Sequence, residues 1–97
     1  MPRYNVYYNG KWACFSSIID AFITSFSDKE TYEQWRKEEY GIKNYKPAEQ
    51  CNMMNMKECI SLIKLNRTRS ESISCLVGSG LSEIESTQLI DSDNLVN

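Results

Sequence analysis

All eleven aromatic residues of this 97-residue chain fall within its first 45 positions, and none follows Tyr45. Aromatic side chains bury the most surface per residue. The asymmetry therefore assigns the better-packed core to the N-terminal half and leaves the rest to Met, Ile, Leu and Cys. A chain of this length supports one modest core and no second. The expected organisation is one domain over residues 1–90, with an aromatic-rich part (1–46), a helical part (47–90) and a frayed tail at 91–97.

The first element reads as a β-hairpin. Tyr4, Val6 and Tyr8 alternate with Asn5 and Tyr7, a period of two. Asn9-Gly10 then supplies the dipeptide preferred where both turn residues need positive φ. The return strand places Trp12 and Cys14 on one face and Ala13 and Phe15 on the other. After a turn at 17–20, residues 21–24 have room for a short third strand.

Ser27-Asp28-Lys29-Glu30 reads as a capping box, with Ser27 as the cap of a helix over 28–40 that stops at Gly41. Tyr32, Trp35 and Tyr40 share an arc of roughly 140° on that helix. Lys29, Glu33 and Lys37 fall opposite, as a solvated face. Further helix starts are expected at Asn55, at the Thr68-Arg69-Ser70-Glu71 box and at Ser82, giving helices near 55–66, 68–78 and 82–90. The fold class is α+β: an antiparallel hairpin with a possible third strand, packed by one helix and followed by two or three short helices.

Several chemistries are excluded or disfavoured. The chain has no histidine, so Ser-His-Asp and Cys-His nucleophile systems are impossible within it. It has no glycine-rich phosphate loop; Gly78-Ser79-Gly80 is a turn. The four cysteines (Cys14, Cys51, Cys59, Cys75) lack the short spacing of zinc sites, so reduced core thiols are expected, with no metal and no cofactor. Apolar runs are too short to cross a bilayer. The first residues lack the apolar stretch of an export signal, which points to the cytoplasm.

Three surfaces carry functional expectations. One helix covers only one face of so small a sheet, which leaves hairpin aromatics free to serve as a partner-binding surface. Tyr7 and Trp12 are its expected anchors. Asp20, between Ile18-Ile19 and Ala21-Phe22-Ile23, is expected to cap a turn or sit at the rim of that surface. The alternative covering of the second face is the C-terminal helices. A helix-turn-helix over 68–90 offers a nucleic-acid reading, with Lys57, Lys64, Arg67 and Arg69 as contacts. The would-be recognition helix carries Glu83 and Glu85 and no base, which opposes phosphate binding. The net charge of −2 agrees.

In size, mild acidity, hairpin-plus-helix architecture (4–40) and lack of active-site residues, the chain is similar to the small accessory proteins of phages and mobile elements, anti-CRISPR proteins among them. The resemblance implies a non-enzymatic inhibitor in a host cytoplasm. Such a protein occludes a host protein, such as a CRISPR-Cas or other defence component.

Overall fold

In the computed structural model, which describes residues 3–43 and 45–92, Asn9 and Gly10 both take positive φ, 51° and 75°. Those conformations match the twist of two antiparallel strands. They join β1 (Arg3–Tyr8) to β2 (Lys11–Ser16), in a register that sets Tyr7 opposite Trp12 and Asn5 opposite Cys14. A third strand, β3 (Ala21–Phe22), pairs antiparallel with β2, so β2 is central. The segment after β3 keeps company with β2: Ile23 N–H donates to Cys14 O, and Ser27 and Trp12 exchange backbone hydrogen bonds of 2.7 and 2.9 Å.

Among the described residues four helices follow: α1 (Lys29–Tyr40), α2 (Met56–Leu65), α3 (Arg69–Gly78) and α4 (Glu83–Asp91). A short 3-10 turn, Ala48–Gln50, lies between α1 and α2. The start of α1 differs by one residue from expectation. Asp28, not Ser27, is the cap, and its Oδ1 accepts from Thr31 N–H at 2.7 Å. Ser27 is held in the bridge to Trp12. The caps of the other helices stand where the sequence places them, at Asn55, Thr68 and Ser82, and Thr68 and Glu71 form the reciprocal box.

Both faces of the sheet are covered. On one, Trp12 and Cys14 pack with Tyr32 and Ala48, flanked by Ile23 and Trp35. On the other, Val6 and Phe15 pack with Met56, Cys59, Ile60, Ile63, Leu76 and Ile90. Six of those eight residues come from the second half of the chain, so the larger core is not the N-terminal one. Aromatics line the sheet, and aliphatic side chains from α2, α3 and α4 complete the layer. Trp12 through Ser16 are consequently all buried.

Asn5 joins these layers. It is buried, and its backbone binds the 52–54 segment as a parallel extension of β1: Asn5 N–H donates to Asn52 O (2.8 Å) and Met54 N–H to Asn5 O (3.1 Å). Its Nδ2 donates to Ala48 O at 3.2 Å, and its Oδ1 accepts from the Tyr32 hydroxyl. The free edge of β1 is thereby paired at Asn5, which shortens the stretch open to pairing with other chains.

The C-terminus of the described chain is better anchored than a frayed tail. Asp91 is the last residue of α4, and its two carboxylate oxygens accept from Arg69 Nε and Nη2 at 2.7 Å each. Residues 93–97 of the expected tail lie outside the described residues.

Asn5→Ala removes a donor to Ala48 O and the acceptor of the Tyr32 hydroxyl, and should cost about 2–4 kcal/mol in a urea titration. Tyr32→Phe should cost about 1–3 kcal/mol, since it strands Asn5 Oδ1. Equal stability of Asn5→Ala and the parent would show that this hub holds nothing together.

Candidate functional site

The two expected aromatic anchors sit at the Asn9-Gly10 end of the sheet but in different environments. Tyr7 is 53% exposed, and its ring lies 5.1 Å from that of Trp12. Trp12 is only 9% exposed. Tyr32 stacks on it with ring centroids 6.1 Å apart, and the Lys29 ammonium lies 5.0 Å from the ring centroid. Trp12 is therefore a core residue with one edge in reach. Asp20 stands at the opposite end of β2, so the structure does not bring it together with Tyr7 and Trp12.

What surrounds Asp20 is more informative. Its φ of 51° is left-handed, a conformation Asp tolerates better than most residues. It closes the 17–20 turn between β2 and β3. At the tip of that turn Ile18 is 74% exposed and Ile19 54%. The turn is pinned from below: Arg67 donates to Asp20 O (2.8 Å), Ile19 O (3.1 Å) and Ile63 O (3.2 Å). Leu65, two residues before this arginine, is 70% exposed. Two aliphatic side chains, Ile18 and Ile19, thus face solvent on a clamped turn. In the sequence, the signal is the end of the two-residue alternation at Ser16-Ser17. Two adjacent isoleucines in a tight turn cannot both point inward.

The basic cluster is largely committed inside the chain. Lys64 Nζ donates to Ile90 O at 3.0 Å, Arg67 holds the turn and Arg69 holds Asp91. Lys57 is exposed on α2. The cysteines are dispersed: Cys14 lies in the layer with α1, Cys59 in the opposite layer, Cys51 beside Arg36 and Cys75 on α3. Burial pushes the Cys59 thiol up to about 12 and raises that of Cys14. Among the described residues, no three His, Cys, Asp or Glu side chains gather into a metal site.

The face of α1 expected to be solvated is instead covered by the chain that follows it. Glu33 Oε1 accepts from Arg36 Nη1 and its Oε2 from Ala48 N–H, both at 2.8 Å. Arg36 is buried at 7% exposure, and Nη1 also donates to Lys46 O at 2.6 Å. Beyond it, Arg3, Asn5, Arg36, Tyr40, Cys51 and Asn52 line a recess of about 190 Å³. Arg3 pairs with Ser16 across the sheet, so this recess and the 17–20 turn share one end of it.

No protein-family model, curated protein or solved structure matches this chain.

Two predictions follow from these contacts. Arg67→Ala should destabilise the chain by about 2–3 kcal/mol and speed amide exchange through 18–21, since it removes charge-assisted bonds to three carbonyls. Lys57→Ala should change stability by less than about 0.5 kcal/mol. Unchanged exchange in the turn of the Arg67 variant would show that the turn holds itself.

Glu33 supplies the pH dependence. Burial raises its pKa, but hydrogen bonds from Tyr45, Ala48 N–H and Arg36 outweigh that and hold it below the ordinary value. Its contribution to stability is complete above the unfolded value of about 4.3 and is lost as pH falls through the lower folded value. Glu33→Gln should therefore be less stable than the parent at neutral pH and lose less on acidification. Parallel stability–pH curves for the two proteins would remove Glu33 from the account.

Proposed function

We propose that this chain is a non-enzymatic protein-binding inhibitor that docks through the 17–20 turn. The observation that carries the proposal is the pair of exposed isoleucines on a turn clamped by Arg67. Solvent-facing Ile side chains gain on the order of 1–2 kcal/mol each when a partner covers them, scaled from full burial of such a side chain. A turn already held in one conformation loses little further entropy on docking. Tyr7 offers a second contact at the far end of the sheet.

Acidic residues are engaged in structure rather than gathered for catalysis: Asp28 and Glu71 cap helices, and Glu33, Glu39, Glu49 and Asp91 pair with cations. Together with the lack of histidine, this supports binding over turnover. The concrete form proposed is occlusion of a host protein, such as a component of a CRISPR-Cas or other defence system. The nucleic-acid alternative draws less support, because three of its four basic residues already bond within the chain.

The test is affinity capture from a bacterial lysate, followed by binding measurements on the partner recovered. Ile18→Ser combined with Ile19→Ser should weaken binding by roughly thirtyfold or more while leaving the circular dichroism spectrum intact. Binding by the parent should change little with salt. Steep loss of binding with added salt, and loss on replacing Lys57 and Lys64 rather than the isoleucines, would establish nucleic-acid or polyanion contact instead.

A further inference from the structure

We infer that the recess between β1, α1 and the 51–52 segment is a binding site for a single phosphate group. Its lining among the described residues is Arg3, Asn5, Arg36, Tyr40, Cys51 and Asn52, with no acidic side chain. Its volume of about 190 Å³ is on the order of six water volumes, below the roughly 300–1,000 Å³ of sites that enclose drug-sized ligands. It has room for one oxyanion group with little attached.

Arg36 is the residue that points to a ligand. Its Nη1 is saturated by Glu33 and Lys46 O. Its Nη2 donates to the Cys51 sulfur at 3.2 Å, the guanidinium lies over the Tyr45 ring 5.5 Å from its centroid, and its buried Nε has no hydrogen-bond partner among the described residues. Nε and Nη2 form the guanidinium edge that grips oxyanions with two parallel bonds. Here the Nη2 end of that edge meets a thiol, a weak acceptor, and the Nε end meets no acceptor among the described residues. A buried, charged donor left in this state is costly, and an oxyanion would relieve it.

Cys51 is the movable part. It is half-buried, and rotation of its side chain uncovers the Arg36 edge to the recess. Arg3 supplies the second cation. It is half-buried, and its Nη1 is shared between Glu39 (3.2 Å) and the Tyr40 hydroxyl (3.3 Å). A surface pair of this kind is held weakly and yields to a bound anion. The Asn52 amide stands at the same wall as a neutral donor.

The experiment is a titration of inorganic phosphate into the full chain at constant ionic strength, followed by the NMR signal of Arg36 Nε–H. The expected result is a saturable shift of that signal in the millimolar range, with acetate and chloride weaker. Arg3→Ala, which removes a half-buried side chain bonded to Glu39 and Tyr40 at the surface, should weaken phosphate binding roughly tenfold. Cys51→Ala, which removes the sulfur over the edge, should not weaken it.

A second readout uses alkylation of the half-buried thiols by iodoacetamide. Phosphate should slow the reaction of Cys51 and leave Cys75, outside the recess, as it was. Absence of a saturable shift, equal effects of chloride and phosphate, equal protection of Cys75, or unchanged affinity in Arg3→Ala would each overturn the assignment. Acetate binding as tightly as phosphate would overturn the choice of phosphate.

Discussion

A buried asparagine holds the two halves of this molecule in register. Asn5 uses its backbone to receive the 52–54 segment and its side chain to receive Tyr32 and Ala48. Strand β1, helix α1, the 3-10 turn and the approach to α2 all meet on one residue. Its groups are matched by partners 27 or more positions away. An amide so placed is stable only if each partner arrives, because an unmatched polar group in a dry site costs more than a matched one contributes. The Arg36 network beside it works by the same rule, with one edge left over.

The local signals in the sequence were reliable wherever a helix begins with its own chemistry. Asn55, Thr68 and Ser82 cap their helices because each is followed by a backbone N–H in reach and nothing else competes for the side chain. Ser27 shows how this fails. Its neighbour Asp28 carries the better acceptor, and Ser27 itself is drawn into pairing with Trp12, fifteen residues earlier. The hairpin was legible from alternation and Asn-Gly, and so was the strand face to which Trp12 and Cys14 belong.

Long-range contacts were not legible. Asn5 looks like the polar slot of an alternating strand, and nothing nearby marks it as buried. Glu33 and Lys37 have the spacing of a wet helix face, yet residues 45–48 fold over Glu33 and Arg36. Arg67 looks like one of a basic cluster, but two of its three acceptors are carbonyls 47 and 48 residues away. Charge spacing reports what a side chain is, whereas its partner is decided by tertiary packing. The aromatic asymmetry misled for a related reason. Aromatics clad both faces of the sheet, but the larger layer is closed by aliphatics from the other half.

The central position of β2 bears on how the chain is made. Its side chains need α1 on one side and Met56, Ile63 and Ile90 on the other, so neither half offers a resting place by itself. During synthesis the hairpin can close early, but the layer over Val6 and Phe15 is incomplete until residue 90 has left the ribosome. A nascent chain at that stage presents a greasy strand to solvent, where chaperones compete with aggregation for it. Cutting anywhere between α1 and α2 should therefore yield two sticky fragments rather than two small proteins.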